Sequence, residues 1–154
     1  MTNNIPTTET GASPRQVQLL APLVALRDPQ SRLAWVVDQA RHRPSLPDEC
    51  RTDAFRVEGC LVRLWFVPEK RGELCFFRSD SDAASLKAIT GLLCDYYSAE
   101  SPESIASHHP DFLQRLGLLR HLADNRRATI LRVADKIREF AVANRVGSPP
   151  PPAA

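Results

Sequence analysis

Between residues 16 and 26 the apolar side chains Val17, Leu19, Leu20, Leu23 and Val24 recur at helical spacing, which predicts a first helix. Asp28 followed by Pro29 has the form of a helix cap and a first-turn proline, and the stripe Leu33, Val36, Val37 and Ala40 carries a second helix that must end before Pro44. A polar loop then leads to a change of period. Residues 60–67, CLVRLWFV, are β-branched and aromatic, and after the turn-forming Pro68, Lys70 and Gly72 a second such run covers residues 74–77. These runs predict a hairpin, with a short strand over 55–57 beside it and Gly59 and Cys60 at a bend between strands. Helical spacing returns at Leu86, Ile89, Leu93 and Tyr96 or Tyr97, with Asp82 as the predicted cap. Ser101, Pro102 and Glu103 start a short helix, and a long one over about 124–144 presents Ile130, Val133, Ile137, Phe140 and Ala141 on one face.

Helices, then a hairpin, then helices again predict an α+β fold in which helices pack on one face of a small, about three-stranded antiparallel sheet. A chain of 154 residues supplies one such domain. Residues 1–15 are rich in Thr, Asn and Pro, and residues 146–154 are dominated by proline, so both are expected to be disordered tails around a domain spanning 16–145.

Charge and composition narrow the function by exclusion. Lys and Arg number 20 against 18 Asp and Glu, too even a balance to grip nucleic acid or an anionic membrane. No stretch approaches the roughly 18 consecutive apolar residues of a membrane span, and the N-terminus lacks the pattern of a secretory signal. A cytoplasmic protein is expected, with its four cysteines reduced. Cys50, Cys60, Cys75 and Cys94 form no close pair, and His108, His109 and His121 have no matching ligands, so no metal site is predicted. Asp80 and Asp82 read as loop and cap residues rather than an acid–base pair. Cys75 and Cys94 sit within apolar elements and read as core, Cys50 as a solvent-side loop residue. Taken by pattern alone, Cys60 reads as a small core residue heading a strand. The alternative is a thiol presented at a loop tip, with Gly59 freeing the backbone and Arg56 and Arg63 near enough in sequence to favour a thiolate.

Four motifs occur in a telling order: VEGC at 57–60 followed by Trp65, SDSDA at 79–83, GLLRHL at 117–122 and NRR at 125–127. Together they resemble the SufE family over about residues 19–140. The resemblance implies a SufE/IscU-like fold and an accessory protein rather than an enzyme, with no cofactor of its own. Cys60 matches the family's sulfur-accepting cysteine. It implies that Cys60 accepts persulfide sulfur from a pyridoxal-phosphate-dependent cysteine desulfurase of the SufS/CsdA type. It implies further that the acceptor stimulates that enzyme and passes sulfur on to an iron–sulfur cluster scaffold complex. The same matching gives Asp82, Arg126 and His121 partner-binding roles. An alternative is a SufE-like module that binds or regulates a desulfurase or other partner without carrying sulfur. It draws on departures from the family's pattern: Glu58 stands where a proline is frequent, Leu61, Val62 and Arg63 where a polar run is usual, and Ala128 and Thr129 where Asn-Gly is usual.

Overall fold

The computed structural model describes residues 12–109 and 111–145. Ser13 caps the first helix, α1 (Pro14–Ala25): its hydroxyl accepts from the Gln16 N–H at 3.2 Å while the Gln16 side chain accepts from the Ser13 N–H at 2.9 Å. This reciprocal capping box, with Pro14 in the first turn, starts the helix ahead of residue 16, so residues 13–15 belong to the domain and not to a tail. The remaining parts expected to be disordered, 1–11 and 146–154, lie outside the described residues. Asp28 caps α2 (Pro29–Ala40) as expected, accepting from the Ser31 N–H at 2.8 Å, and these donors hold its carboxyl below the usual range.

The sheet is a hairpin of β1 (Leu64–Arg71) and β2 (Leu74–Ser81), antiparallel, in a register pairing Leu64 with Ser81 and Arg71 with Leu74. Gly72 opens the connecting turn at a φ of +60°, a conformation that suits a tight hairpin. The expected third strand is reduced to one bridge between Arg56 and Trp65, so the sheet has two strands. A 3₁₀ turn over Asp53–Phe55 precedes Arg56 and a turn at Glu58 and Gly59 follows it, leaving no length for a ladder. Farther along the same open edge, Pro68 has no N–H to offer a third strand.

Alternation along β1 splits the core. Leu64 and Phe66 face the main core, where Phe66 stacks on Phe77 at 5.8 Å, while Trp65 and Val67 join Leu46 in a second cluster under the 44–55 loop. Helices therefore cover one face of the hairpin and a loop covers the other. The third helix, α3 (Ala84–Tyr97), is apolar nearly all round because β2, α2 and the C-terminal helix enclose it. Two short helices follow, α4 (Pro102–Ala106) and α5 (Phe112–Arg115), and then α6 (Asp124–Ala143), which buries Ile130, Val133, Ile137 and Ala141. Both Tyr96 and Tyr97 are buried. Among the described residues no helix is long and apolar enough to cross a membrane.

Candidate functional site

Cys60 lies not in a strand but in a loop over 57–63. The Val57 N–H donates to the Leu64 carbonyl at 2.8 Å, and this contact closes the loop at its base and pushes 58–63 out of the sheet. Inside the loop Gly59 takes a φ of +81°, which residues with a Cβ resist. The Arg132 guanidinium, from α6, donates to the Glu58 carbonyl and so fixes the turn from an element remote in the sequence. At the other end the Arg63 carbonyl accepts from the Ser81 hydroxyl at 2.7 Å and from the Asp82 N–H at 3.3 Å. The loop is thus held at both ends and at its turn. Within it Cys60 and Val62 pack against the main core, Cys60 half-buried, and Leu61 points away from it. The Cys60 Sγ sits 3.9 Å from the Glu58 carbonyl oxygen, a contact suited to a weak S–H donor.

Asp82 does not cap α3, whose first turn has no side-chain cap; the Ser81 hydroxyl instead accepts the Ala83 N–H at 3.2 Å. Asp82 turns outward to two arginines, Arg63 at 2.7 Å and Arg51 at 3.3 Å. Both guanidiniums also lie over the Trp65 ring, at 5.3 Å and 4.5 Å from its centroid. A carboxylate, two arginines and an indole thereby brace the exit of the cysteine loop. Behind them Asp80, almost fully buried, accepts from the Leu46 N–H at 3.0 Å and faces the Lys87 ammonium at 3.7 Å, tying the 44–55 loop to β2 and α3.

Of the residues singled out from sequence, Asp82 is tied through Arg63 to the exit of the loop that carries Cys60. Arg126 reaches the same end of α3, its guanidinium donating to the Ser85 hydroxyl at 2.7 Å, one helical turn beyond Asp82. His121 is exposed in the turn before α6 and has no hydrogen bond to this group among the described residues. Arg132, Arg51 and the role of Trp65 escape a reading by local pattern. Arg132 meets Glu58 across 74 positions, a contact with no local signature.

The other cysteines differ in kind. Cys75 and Cys94 are buried, and burial pushes the Cys94 thiol up to about 12 and the Cys75 thiol upward as well. Cys50 is half-buried rather than solvent-side, packed against the cluster of Leu46, Trp65 and Val67, with an Arg78 N–H 3.8 Å from its sulfur. No disulfide joins the four. Among the described residues no three His, Cys, Asp or Glu side chains gather in a way that could hold a metal.

The fold and this loop define a small α+β protein built around one braced cysteine. The chain belongs to the SufE family: residues 18–141 match its model, described as an Fe-S metabolism associated domain. An uncharacterized SufE-like protein of Rhizobium etli is 26% identical over 129 residues, covering 80% of this chain and 87% of that one. Another, from Synechocystis, is 22% identical over 120 residues, covering 78% and 76%. The solution structure of a hypothetical protein from Thermus thermophilus shares the fold, with a TM-score of 0.61 at 23% identity over 83% of this chain and 96% of that one. Family membership associates the chain with iron–sulfur metabolism.

Proposed function

We propose that this protein is a sulfur acceptor and carrier whose Cys60 takes persulfide sulfur from a pyridoxal-phosphate-dependent cysteine desulfurase. The observation that carries the reading is the placement of Cys60, the one cysteine in a loop held by contacts from both β2 and α6. Cys75 and Cys94 are buried with raised thiol pKa values, and Cys50 is packed under the hairpin. In the transfer, the Cys60 thiolate attacks the outer sulfur of the desulfurase persulfide. A sulfur–sulfur bond forms on Cys60 as the one on the desulfurase breaks, and the desulfurase cysteine departs as a thiolate. No oxidant or reductant is consumed. Clearing the persulfide frees the desulfurase for another turnover, which is how an acceptor stimulates it. The sulfane sulfur then passes by the same exchange to an iron–sulfur scaffold complex. Four unpaired cysteines suit the reducing cytoplasm in which such exchange operates. Arg63, Asp82 and Arg51 at the exit of the loop, with Arg126 at the start of α3, are the side chains that would meet the partner, and His121 would add a further contact.

The test is mass spectrometry of the chain after incubation with a desulfurase and cysteine. One added sulfur atom on Cys60, absent from Cys60→Ser, is expected. A complex that forms and stimulates the desulfurase with no adduct on Cys60 would instead identify a binding module that carries no sulfur.

A further inference from the structure

Leu61 is 85% exposed, whereas among the described residues the next most exposed large apolar side chains, Leu131, Leu74 and Val142, stand at 44%, 38% and 38%. A single surface leucine needs no explanation in general. This one differs because its position is enforced. The loop alternates, with Cys60 and Val62 turned toward the core, so the residue between them has to point out. The contacts from Arg132 to Glu58 and from Ser81 to Arg63 fix the backbone on either side. Leu61 is therefore displayed by a braced loop and not by a wandering chain end.

Its position relative to the thiol decides what it meets. Sulfur transfer brings a donor sulfur to bonding distance of the Cys60 Sγ, and consecutive Cα atoms lie only about 3.8 Å apart. A protein that docks on this loop to reach the thiol therefore meets the exposed leucine next to it in the chain. The surroundings supply the polar half of the interface. Arg51 and Arg63 share the single carboxylate of Asp82, so that group keeps a net positive charge, and Arg132 is held by a neutral carbonyl and keeps its own; Glu58 offsets one of these charges.

Resting on the carrier function proposed above, we propose that Leu61 is the anchor by which the chain selects its desulfurase, seated in an apolar socket beside the persulfide cysteine and ringed by acidic side chains. The leucine supplies affinity by leaving water, and the arginine rim orients it.

The experiment measures binding of the full chain to the purified desulfurase of the source organism by calorimetry, on a Cys60→Ser background that forms no adduct. Leu61→Gln is expected to weaken binding roughly ten- to hundredfold, the span that corresponds to burying one leucine, with Leu61→Met restoring most of it. The Leu61→Gln change in the chain that retains Cys60 leaves the reaction of the thiol with inorganic polysulfide unchanged, since that donor needs no socket. Binding of Leu61→Gln within twofold of its parent overturns the anchor, as does a parallel loss of the polysulfide reaction, which would mean that Leu61 acts on the loop itself. A wild-type chain that gains no sulfur from the desulfurase, yet whose binding still depends on Leu61, refutes the carrier reading and supports the anchor.

Discussion

Gly59 and Arg132 hold the cysteine loop by complementary means: one permits the turn, the other ties it down. At a φ of +81° an alanine is strained, and its Cβ would run into the Arg132 guanidinium. The guanidinium is the far end of a flexible side chain and swings aside, but only by giving up the Glu58 carbonyl. Gly59→Ala is accordingly expected to cost about 1–2 kcal/mol in urea unfolding, the penalty of a left-handed backbone for a residue with a Cβ. Arg132→Met keeps the glycine and removes only an exposed hydrogen bond, so its cost should stay within about 1 kcal/mol. Both variants release the turn, and both should speed alkylation of Cys60 by iodoacetamide relative to the parent chain. Unchanged labelling in both would show that the brace does not govern access to the thiol.

Elements whose signals are local could be read from the sequence, and elements defined across the fold could not. Asp28 and Pro29 announced α2 because a cap and its receiving N–H lie three positions apart. Asp82 had the same appearance before α3 but was claimed by Arg63 and Arg51 from other elements, and Ser81 took its place at the helix start. The hairpin was legible from its apolar runs and Gly72, whereas the start of β1 was not: Cys60 belongs to the same apolar run, and only the Val57–Leu64 contact excludes it from the strand. The candidate site was visible as a cysteine in a recognisable motif, but its bracing by Trp65, Arg51 and Arg132 rests on tertiary contacts. The same distinction separates two caps. Ser13 both caps α1 and donates to the Glu100 carboxylate at 2.9 Å, which is nearly buried and also bound by Arg15. Asp28 at α2 is exposed and makes only local bonds. Replacing Asp28 by alanine should cost only a local, exposed cap, whereas Ser13→Ala should cost about 2 kcal/mol, since a nearly buried carboxylate also loses a donor. The urea midpoint should fall further for Ser13→Ala at an unchanged m-value; equal shifts would mean that the bond to Glu100 contributes nothing.

For the molecule as a whole, the buried thiols make stability depend on alkaline pH. Cys94 is enclosed on α3, and although the Ser79 hydroxyl favours its thiolate, loss of water outweighs that and lifts the thiol from 9.0 to about 12. Cys75, on β2 beneath the main core, is lifted in the same direction by the same cause. In the unfolded chain both thiols titrate near 9.0. Below that pH folded and unfolded chains hold these protons equally, and neither cysteine contributes a slope. Above it the unfolded chain releases protons that the folded core retains, so the unfolded state gains and stability falls as pH rises toward the folded value near 12. The slope approaches on the order of 1 kcal/mol per pH unit for each thiol fully in this window. Other groups titrate at alkaline pH as well, so the informative quantity is a difference in slope. Cys94→Ala lowers stability at every pH through the space it leaves, but between about pH 9 and the folded value near 12 its urea midpoint should decline less steeply than that of the parent. Parallel declines would show that Cys94 does not keep its proton in the folded state, and native Cys94 would then be open to alkylation in that range, where the buried, protonated thiol should resist it.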